Sequence, residues 1–324
     1  MGKTVAAMLM ALAACGVTLV PAQGQDYPAK LVRIVVPYPP GGPNDLLARI
    51  VAQGLTERWG RQVIVDNRPG GSATIGVAAV SKSPADGYTL LAGSAGSMTI
   101  KASVFPKLPF DIIKDFAPIT MMASGPFVMV LHPSLPAATV KQFLALARSR
   151  PGELFFGSPG TGTGGHLSGE LLKMLAKINI VHVPYKGGGP AMNDLLGGQI
   201  SLLFSDLTTA ISHVKVGRLK ALGVTSEVRS RVAPDIPTIA EGGVPGYEVT
   251  TWYGLFAPAG TPRDIVSKLN SEINSMMHSP ALMSRLEVLG ADSATNTPEH
   301  FADFVKNDFA KWSNVVKAAD VRAD

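Results

Sequence analysis

Cysteine is nearly missing from this chain: in 324 residues there is one, Cys15. It lies in a leader-like N-terminus, so the mature protein is expected to have no disulfide, no thiolate nucleophile and no Cys-ligated metal. Charge is also sparse. Charged residues make up 16%, below the ~25% usual in soluble domains. The net charge of +5 is scattered, with no Lys/Arg block interleaved with aromatics, which argues against a nucleic-acid surface. After the leader no apolar run is long enough to span a membrane. The greasiest, Phe116 to Leu131, is broken by Pro118, Gly125 and Pro126. Gly-x-Ser-x-Gly is absent, so a serine-hydrolase elbow has no candidate. No Gly-Lys-Ser/Thr follows a Gly loop, which removes the phosphate P-loop. Gly160-Thr161-Gly162 sits well inside the chain, and no acidic residue ends the next strand, Ile180 to Val183, to bind a ribose.

Lys3 precedes an apolar run from Val5 to Val20, followed by Pro21-Ala22-Gln23-Gly24. This reads as an export signal over residues 1–24. Leu12-Ala13-Ala14-Cys15 also matches a lipobox, but Val17, Leu19 and Val20 follow where a lipoprotein tether is usually polar. Simple cleavage and release into the periplasm is therefore expected over a lipid anchor at Cys15.

What the chain has in abundance is glycine, 34 residues, and proline, 25. They concentrate in a recurring turn: Pro37-Tyr38-Pro39-Pro40-Gly41-Gly42-Pro43-Asn44, Ser158-Pro159-Gly160-Thr161-Gly162-Thr163-Gly164-Gly165 and Pro184-Tyr185-Lys186-Gly187-Gly188-Gly189-Pro190. Each follows a β-branched run and precedes a helical pattern. Such turns present unpaired N–H groups at a helix N-terminus, where the dipole favours an anion. Gly93-Ser94-Ala95-Gly96-Ser97 opens a fourth. Several facing one cleft would hold a small anion without a charged side chain.

Strand-like and helix-like segments alternate, the pattern of an α/β protein. The length suits two α/β units followed by a helical tail. Strands are expected near Leu31–Val36, Val63–Val65, Tyr88–Leu91, Phe127–Leu131, Leu154–Phe156, Ile180–Val183, Ser201–Phe204, Leu219–Val224 and Tyr247–Phe256. Thr261 is expected to cap a helix whose first residue is Pro262. The tail, Pro298 to about Ala318, is amphipathic through Phe301, Phe304, Phe309, Trp312 and Val316. If it packs back on the first unit, the chain crosses between lobes twice, near Ser124–Phe127 and Thr250–Tyr253. That predicts a hinge and a cleft. The expected lobes are 26–125 with 251–324, and 126–250.

Candidate side chains each carry two readings. His166 and Glu170, four apart, could ligate a metal, but an isolated pair is more often a helix-start hydrogen bond, so no metal is expected. His166 is otherwise a ligand donor or a tautomer-fixed structural group. His182 fits a packed strand. Asp206 could serve as a base, or simply cap the helix from Leu207. Arg68 in Asp66-Asn67-Arg68-Pro69-Gly70 could grip a carboxylate or bridge its own turn. Trp59 and Trp312 read as core; Tyr38 and Tyr185, in turns at strand ends, as cleft-wall candidates.

Taken in order, an exported N-terminus, Ile34-Val35-Val36-Pro37-Tyr38-Pro39-Pro40-Gly41-Gly42, Asp66-Asn67-Arg68-Pro69-Gly70, Asp86-Gly87-Tyr88-Thr89-Leu90, His182-Val183-Pro184-Tyr185-Lys186-Gly187-Gly188-Gly189-Pro190-Ala191 and Pro258-Ala259-Gly260-Thr261-Pro262 resemble the Bug family. These are the TctC-like periplasmic solute-binding proteins of tripartite tricarboxylate transporters. The resemblance implies a two-lobed periplasmic binding protein of the Venus-flytrap type, with two mixed or parallel sheets flanked by helices and two crossover hinge strands. It implies a monomer without catalysis or cofactor that closes on a di- or tricarboxylate or aromatic acid and docks on a membrane permease. By motif, the first lobe would contribute Tyr38, Pro40, Gly41, Gly42, Asn44, Ser94 and Ser97. The second would contribute Ser158, Thr161, Gly162, Thr163, His166, Tyr185, Gly188, Ala191, Ser205 and Asp206. Ser72-Ala73-Thr74 and Met98-Thr99-Ile100-Lys101 depart from the usual pattern, and Ser205 stands where many members carry Asp. A rival reading is an exported hydrolase using Asp206 with His166; another is a subunit presenting ligand to a sensor.

Overall fold

A computed structural model describes residues 27–321 apart from Pro106 and Leu289. The expected export signal, residues 1–24, and Cys15 within it lie outside the described residues. The chain runs β1 (Val32–Val36), α1 (Pro43–Trp59), β2 (Val63–Asn67), α2 (Thr74–Ser81), β3 (Thr89–Ser94), α3 (Thr99–Val104) and β4 (Phe116–Leu131). There follow α4 (Val140–Ser149), β5 (Phe155–Ser158), α5 (Gly164–Ala176), β6 (Val181–Pro184), α6 (Gly188–Leu196), β7 (Leu202–Asp206), α7 (Leu207–Lys215) and β8 (Lys220–Val224). The last elements are β9 (Thr250–Pro258), α8 (Arg263–Met277), α9 (Pro280–Val288), β10 (Asp292–Ser293) and α10 (Pro298–Ala318). None of the described helices is long and apolar enough to cross a membrane.

The strands run in the order β2-β1-β3-β9-β4-β7-β5-β6, with β8 and β10 added on β4. Pairing within β2-β1-β3 is parallel, as is β7-β5-β6, whereas β9 and β4 run antiparallel to their neighbours. The result is a two-lobed α/β fold with mixed sheets flanked by helices. β4 is common to both lobes: it pairs with β9 up to Pro126, with β7 from Phe127 and with β8 from Val128.

The sequence suggested only the second half of that strand. Pro118 cannot donate to a ladder, and the register with β9 slips beside it, between Pro118 and Thr120. Gly125 passes so close to the chain that a Cβ there would sit 2.7 Å from Gly290 O. The residues that read as breaks are therefore a bulge and a close approach within one continuous strand.

The two crossings are pinned together by Thr225, which is fully buried. Its hydroxyl accepts from Phe127 N–H at 2.8 Å and donates to Val249 O at 2.6 Å. One apolar core is continuous across the lobes, from Leu91 through Trp252 and Trp312 to Phe156 and Leu172. Two others stay local, around Leu47, Leu55 and Ile273 in the first lobe and Leu195 and Leu203 in the second.

Helix α10 packs against α3 and β4 and also touches α5 in the second lobe. Its Asp308, buried, accepts from Thr99 Oγ1 (2.6 Å) and from Trp252 Nε1 (2.9 Å). Lys311 reaches Glu248 at 2.8 Å, just before β9. Helix α8 begins at Arg263 with Pro262 as its N-cap. Thr261 does not cap it, because its hydroxyl donates to Pro258 O at 2.7 Å instead.

Candidate functional site

The first Gly-rich loop follows β1 and ends at the mouth of α1. Its N-cap is Gly42 and its first helical residue is Pro43, which has no N–H to leave unpaired. The loop is held by Asp45, a carboxylate 2% exposed. One oxygen accepts from Gly41 N–H and from Arg49 Nε, both at 2.9 Å. The other accepts from Asn67 Nδ2 at 2.9 Å, and Asn67 also reaches Tyr38 O at 3.1 Å. Burial would raise the Asp45 carboxyl, but the bonds from Arg49, Gly41 and Asn67 outweigh it and hold it below the usual range. The Gly-Gly-Pro-Asn-Asp and Asp-Asn-Arg-Pro-Gly stretches are thus two halves of one clamp. Arg68 bridges its own turn, 2.9 Å from Asp66.

Beside this loop lies the turn after β3. Tyr38 Oη is 3.2 Å from Ser94 Oγ. Ser97 is fully buried and accepts from Ser94 N–H at 3.0 Å. Burial raises the Tyr38 hydroxyl pKa despite its bonds to Ser94 and Ser97. Asn44 donates to Ala92 O at 3.0 Å, which leaves Asn44 Oδ1 a buried acceptor without a partner.

These pieces line a cavity of about 460 Å³ that both lobes share, within the usual range for small-molecule sites. The first lobe supplies Tyr38, Pro39, Pro40, Gly42, Pro43, Asn44, Ser94, Ala95, Gly96 and Ile100. The crossings supply Phe127, Val249, Thr250, Thr251 and Tyr253, and the second lobe Gly164 at the start of α5. A Cβ on Gly164 would meet the Phe127 ring at 2.7 Å, so glycine lets the α5 N-terminus approach the cavity wall.

Of the motif-derived residues, Tyr38, Pro40, Gly42, Asn44 and Ser94 line this cavity together; Gly41 is exposed and donates to Asp45, and Ser97 is buried beside Ser94. The second-lobe residues are arranged otherwise. Thr163 caps α5. Ser158 Oγ lies 2.6 Å from His182 Nε2 and accepts from Gly160 N–H at 3.1 Å. His166 is buried: its Nδ1 accepts from Gly162 N–H at 3.0 Å, and its Nε2 faces Glu170 at 3.7 Å. The His166 and His182 rings stack at 3.7 Å. Burial, then the nearby His166, pushes the His182 pKa down to about 3. For Glu170 burial is outweighed by His166 and Lys173, and its carboxyl stays below the usual range. Tyr185 donates to Asp194 at 2.7 Å. Ala191 is in the core and Ser205 is buried. Gly188 opens α6, and Thr161 and Gly162 form the loop before α5.

Asp206 heads α7 but makes no side-chain cap bond, contrary to the capping role that its position suggests. It pairs in register with Phe127 but is not among the residues that line the cavity. It is open to solvent, yet surrounding protein raises its pKa. It also contributes to the Tyr253 shift: burial first, then Asp206, pushes that phenol up to about 12. Sequence reasoning missed Ile100, Phe127, Val249, Thr250, Thr251 and Tyr253 as wall residues, although the two expected crossings contained or adjoined all of them except Ile100.

A family model described as "Tripartite tricarboxylate transporter family receptor" matches residues 47–321. The chain belongs to this family. Among its relatives is "UPF0065 protein in tcbD-tcbE intergenic region" of Pseudomonas sp. (strain P51), 40% identical over 291 residues, 90% of this chain and 86% of that one. Another is "Protein BugT" of Bordetella pertussis (strain Tohama I), 35% identical over 298 residues, 92% of this chain and 91% of that one. Among solved structures, "R. palustris Rpa4515 with adipate" is 36% identical with a TM-score of 0.77, covering 92% of this chain and 99% of that one. The chain is thus a TctC-like, Bug-type periplasmic binding protein.

Proposed function

We propose that this protein is exported by cleavage after its leader and captures a small carboxylate between its lobes. As a monomer, it would then deliver the ligand to the membrane permease of a tripartite transporter. The observation that carries this reading is one cavity bounded from opposite lobes by the N-termini of α1 and α5. Their dipoles and free N–H groups suit an anion. The adipate that accompanies the solved R. palustris relative is of the same chemical class. With the loops already held by Asp45 and Asn67, micromolar affinity, roughly −8 kcal/mol, needs no arginine clamp.

Catalysis is not part of this reading. His166 spends both ring nitrogens on Gly162 and Glu170, which leaves Asp206 without the partner that the hydrolase alternative requires.

A thermal-shift screen of mono-, di- and tricarboxylates is the test. A binder at 100 times its Kd should raise Tm by roughly 5 °C, with the acid recovered unchanged. Conversion of the acid, or no shift with any carboxylate, would sink the proposal. Pull-down of a permease subunit by the liganded form only, and a monomer in light scattering, test delivery and oligomeric state.

A further inference from the structure

We infer that the stacked His166–His182 pair positions the second-lobe loop and makes ligand binding sensitive to acid. While neutral, the pair pins the loop before α5 against the first lobe; one proton on His166 releases it. This proton dependence rests on the carboxylate-binding reading above.

The loop touches both sides of the cleft. A Cβ on Gly162, whose φ is +74°, would lie 3.2 Å from Val104, at the end of α3 in the first lobe. Two residues on, Gly164 lines the cavity. What holds Gly162 is His166, whose Nδ1 accepts its N–H at 3.0 Å. That bond needs a lone pair on Nδ1, so the neutral ring carries its hydrogen on Nε2, towards Glu170 at 3.7 Å. A further proton has only Nδ1 to bind, and there it evicts the Gly162 N–H.

The rest of the cluster directs the proton to that atom. The two rings stack at 3.7 Å, and two charges so close oppose each other, so the pair accepts one proton. His182 is the poorer acceptor. Burial first, then His166, push its pKa down to about 3, against the pull of Glu170 and with a smaller push from Lys173. His166 has the Glu170 carboxylate directly beside it. Ser158, fully buried, fixes His182 through Nε2 and accepts from Gly160 in the same loop. Phe156 of β5 packs on both rings. On β7, Asp206 acts on Tyr253 and not on His182. Helix α10 meets Glu170 and Lys173 with the uncharged Val315, Ala318 and Ala319.

The held loop carries one proton fewer than the released loop, so acid favours release and affinity falls with pH. Full coupling would cost up to about tenfold per pH unit below the ordinary histidine value of ~6.5.

Calorimetry on the mature protein at pH 7.5 and pH 5.0, with adipate, malate, benzoate and terephthalate as probes, is the test. His166→Asn keeps an acceptor in the place of Nδ1 but does not titrate. The loss of affinity at pH 5.0 should be at least fivefold greater in wild type than in this variant. Protonation of the acid itself is the same in both and cancels. His182→Gln, which keeps a partner for Ser158, should retain the loss. Equal losses in wild type and His166→Asn overturn the inference and leave carboxylate binding standing. A loss that vanishes in His182→Gln alone also overturns it, by placing the proton on the other ring. The second readout needs neither ligand nor variant: the hydrogen-exchange protection factor of the Gly162 amide should fall at least fivefold between pH 7.5 and 5.0. Constant protection overturns the inference. If none of the four acids binds, the carboxylate reading fails, while the Gly162 amide still decides the role of the pair.

Discussion

In the first lobe the Gly-rich loop is gripped from outside. Asp45, the third residue of α1, and Asn67, at the end of β2, hold Gly41 and Tyr38, so the loop's free face is left for the cavity. In the second lobe the matching loop is knitted from within. Ser158 and Thr163 bond to Gly160, and His166 takes the N–H of Gly162. Only its far end, Gly164, reaches the cavity wall. The same kind of residue string thus makes a ligand-facing rim in one lobe and a self-contained turn in the other. What separates them is the placement of the anchoring side chains, not the glycines.

Disruption should therefore differ between the two. The largest effect is expected from Gly42→Val. A Cβ at Gly42 has open space and its φ is −80°, so the fold should persist while the new side chain occupies the cavity. Affinity should fall at least a hundredfold with Tm within ~1 °C of wild type. Gly188→Val, which also has room, should cost tenfold or less; equal losses at both positions would erase the contrast between the lobes. Next comes Asp45→Ala, which releases three partners at once. It should lower stability by about 2 kcal/mol in urea melts and weaken binding tenfold or more. Intact binding in that variant would show that the rim needs no external anchor.

The second lobe should be the pH-sensitive one. His182 has a folded-state pKa of about 3 against an ordinary value near 6.5, so folding favours its neutral form. That contribution is complete above pH 6.5 and is lost as pH falls from 6.5 towards 3. The slope is at most about 1.4 kcal/mol per pH unit, and the partly solvated ring keeps it lower. His182→Gln should flatten the fall of Tm between pH 6.5 and 4; an unaltered profile would put the acid sensitivity elsewhere. The smallest effect belongs to Lys311→Met, which cuts the half-buried tie to Glu248. It should change stability by under ~1 kcal/mol while shifting the open–closed balance in small-angle scattering. A stability loss as large as that of Asp45→Ala would make this tie as important as the rim clamp.

Much of this architecture is legible in the sequence, because local rules govern it. Thr139 caps α4 and Thr297 caps α10, and the β-branched runs become strands within a few residues of expectation. What stays hidden depends on partners far along the chain. The first half of β4 carries a bulge at Pro118, and only its register with β9 reveals it as a strand. Helix α3 is six residues long, too short to show a period. Asp45 looks like an ordinary first-turn acid until Asn67 folds beside it. Phe127 and Tyr253 become cavity walls only once the two crossings lie together. In the first lobe the motif residues and the cavity wall coincide. In the second lobe His166, Ser158 and Tyr185 turn to neighbours that no spacing rule identifies.

Trp252 gives the hinge an optical consequence. Its carbonyl accepts from Ala95 N–H at 3.1 Å, next to the cavity, and its indole N–H donates to the Asp308 carboxylate. A fluorophore sits between the ligand's position and the C-terminal helix, beside a fixed negative charge to which its emission responds. Unlabelled protein should therefore report its own occupancy by a change of tryptophan colour, and Trp252→Phe should silence that signal while Trp59 and Trp312 continue to glow.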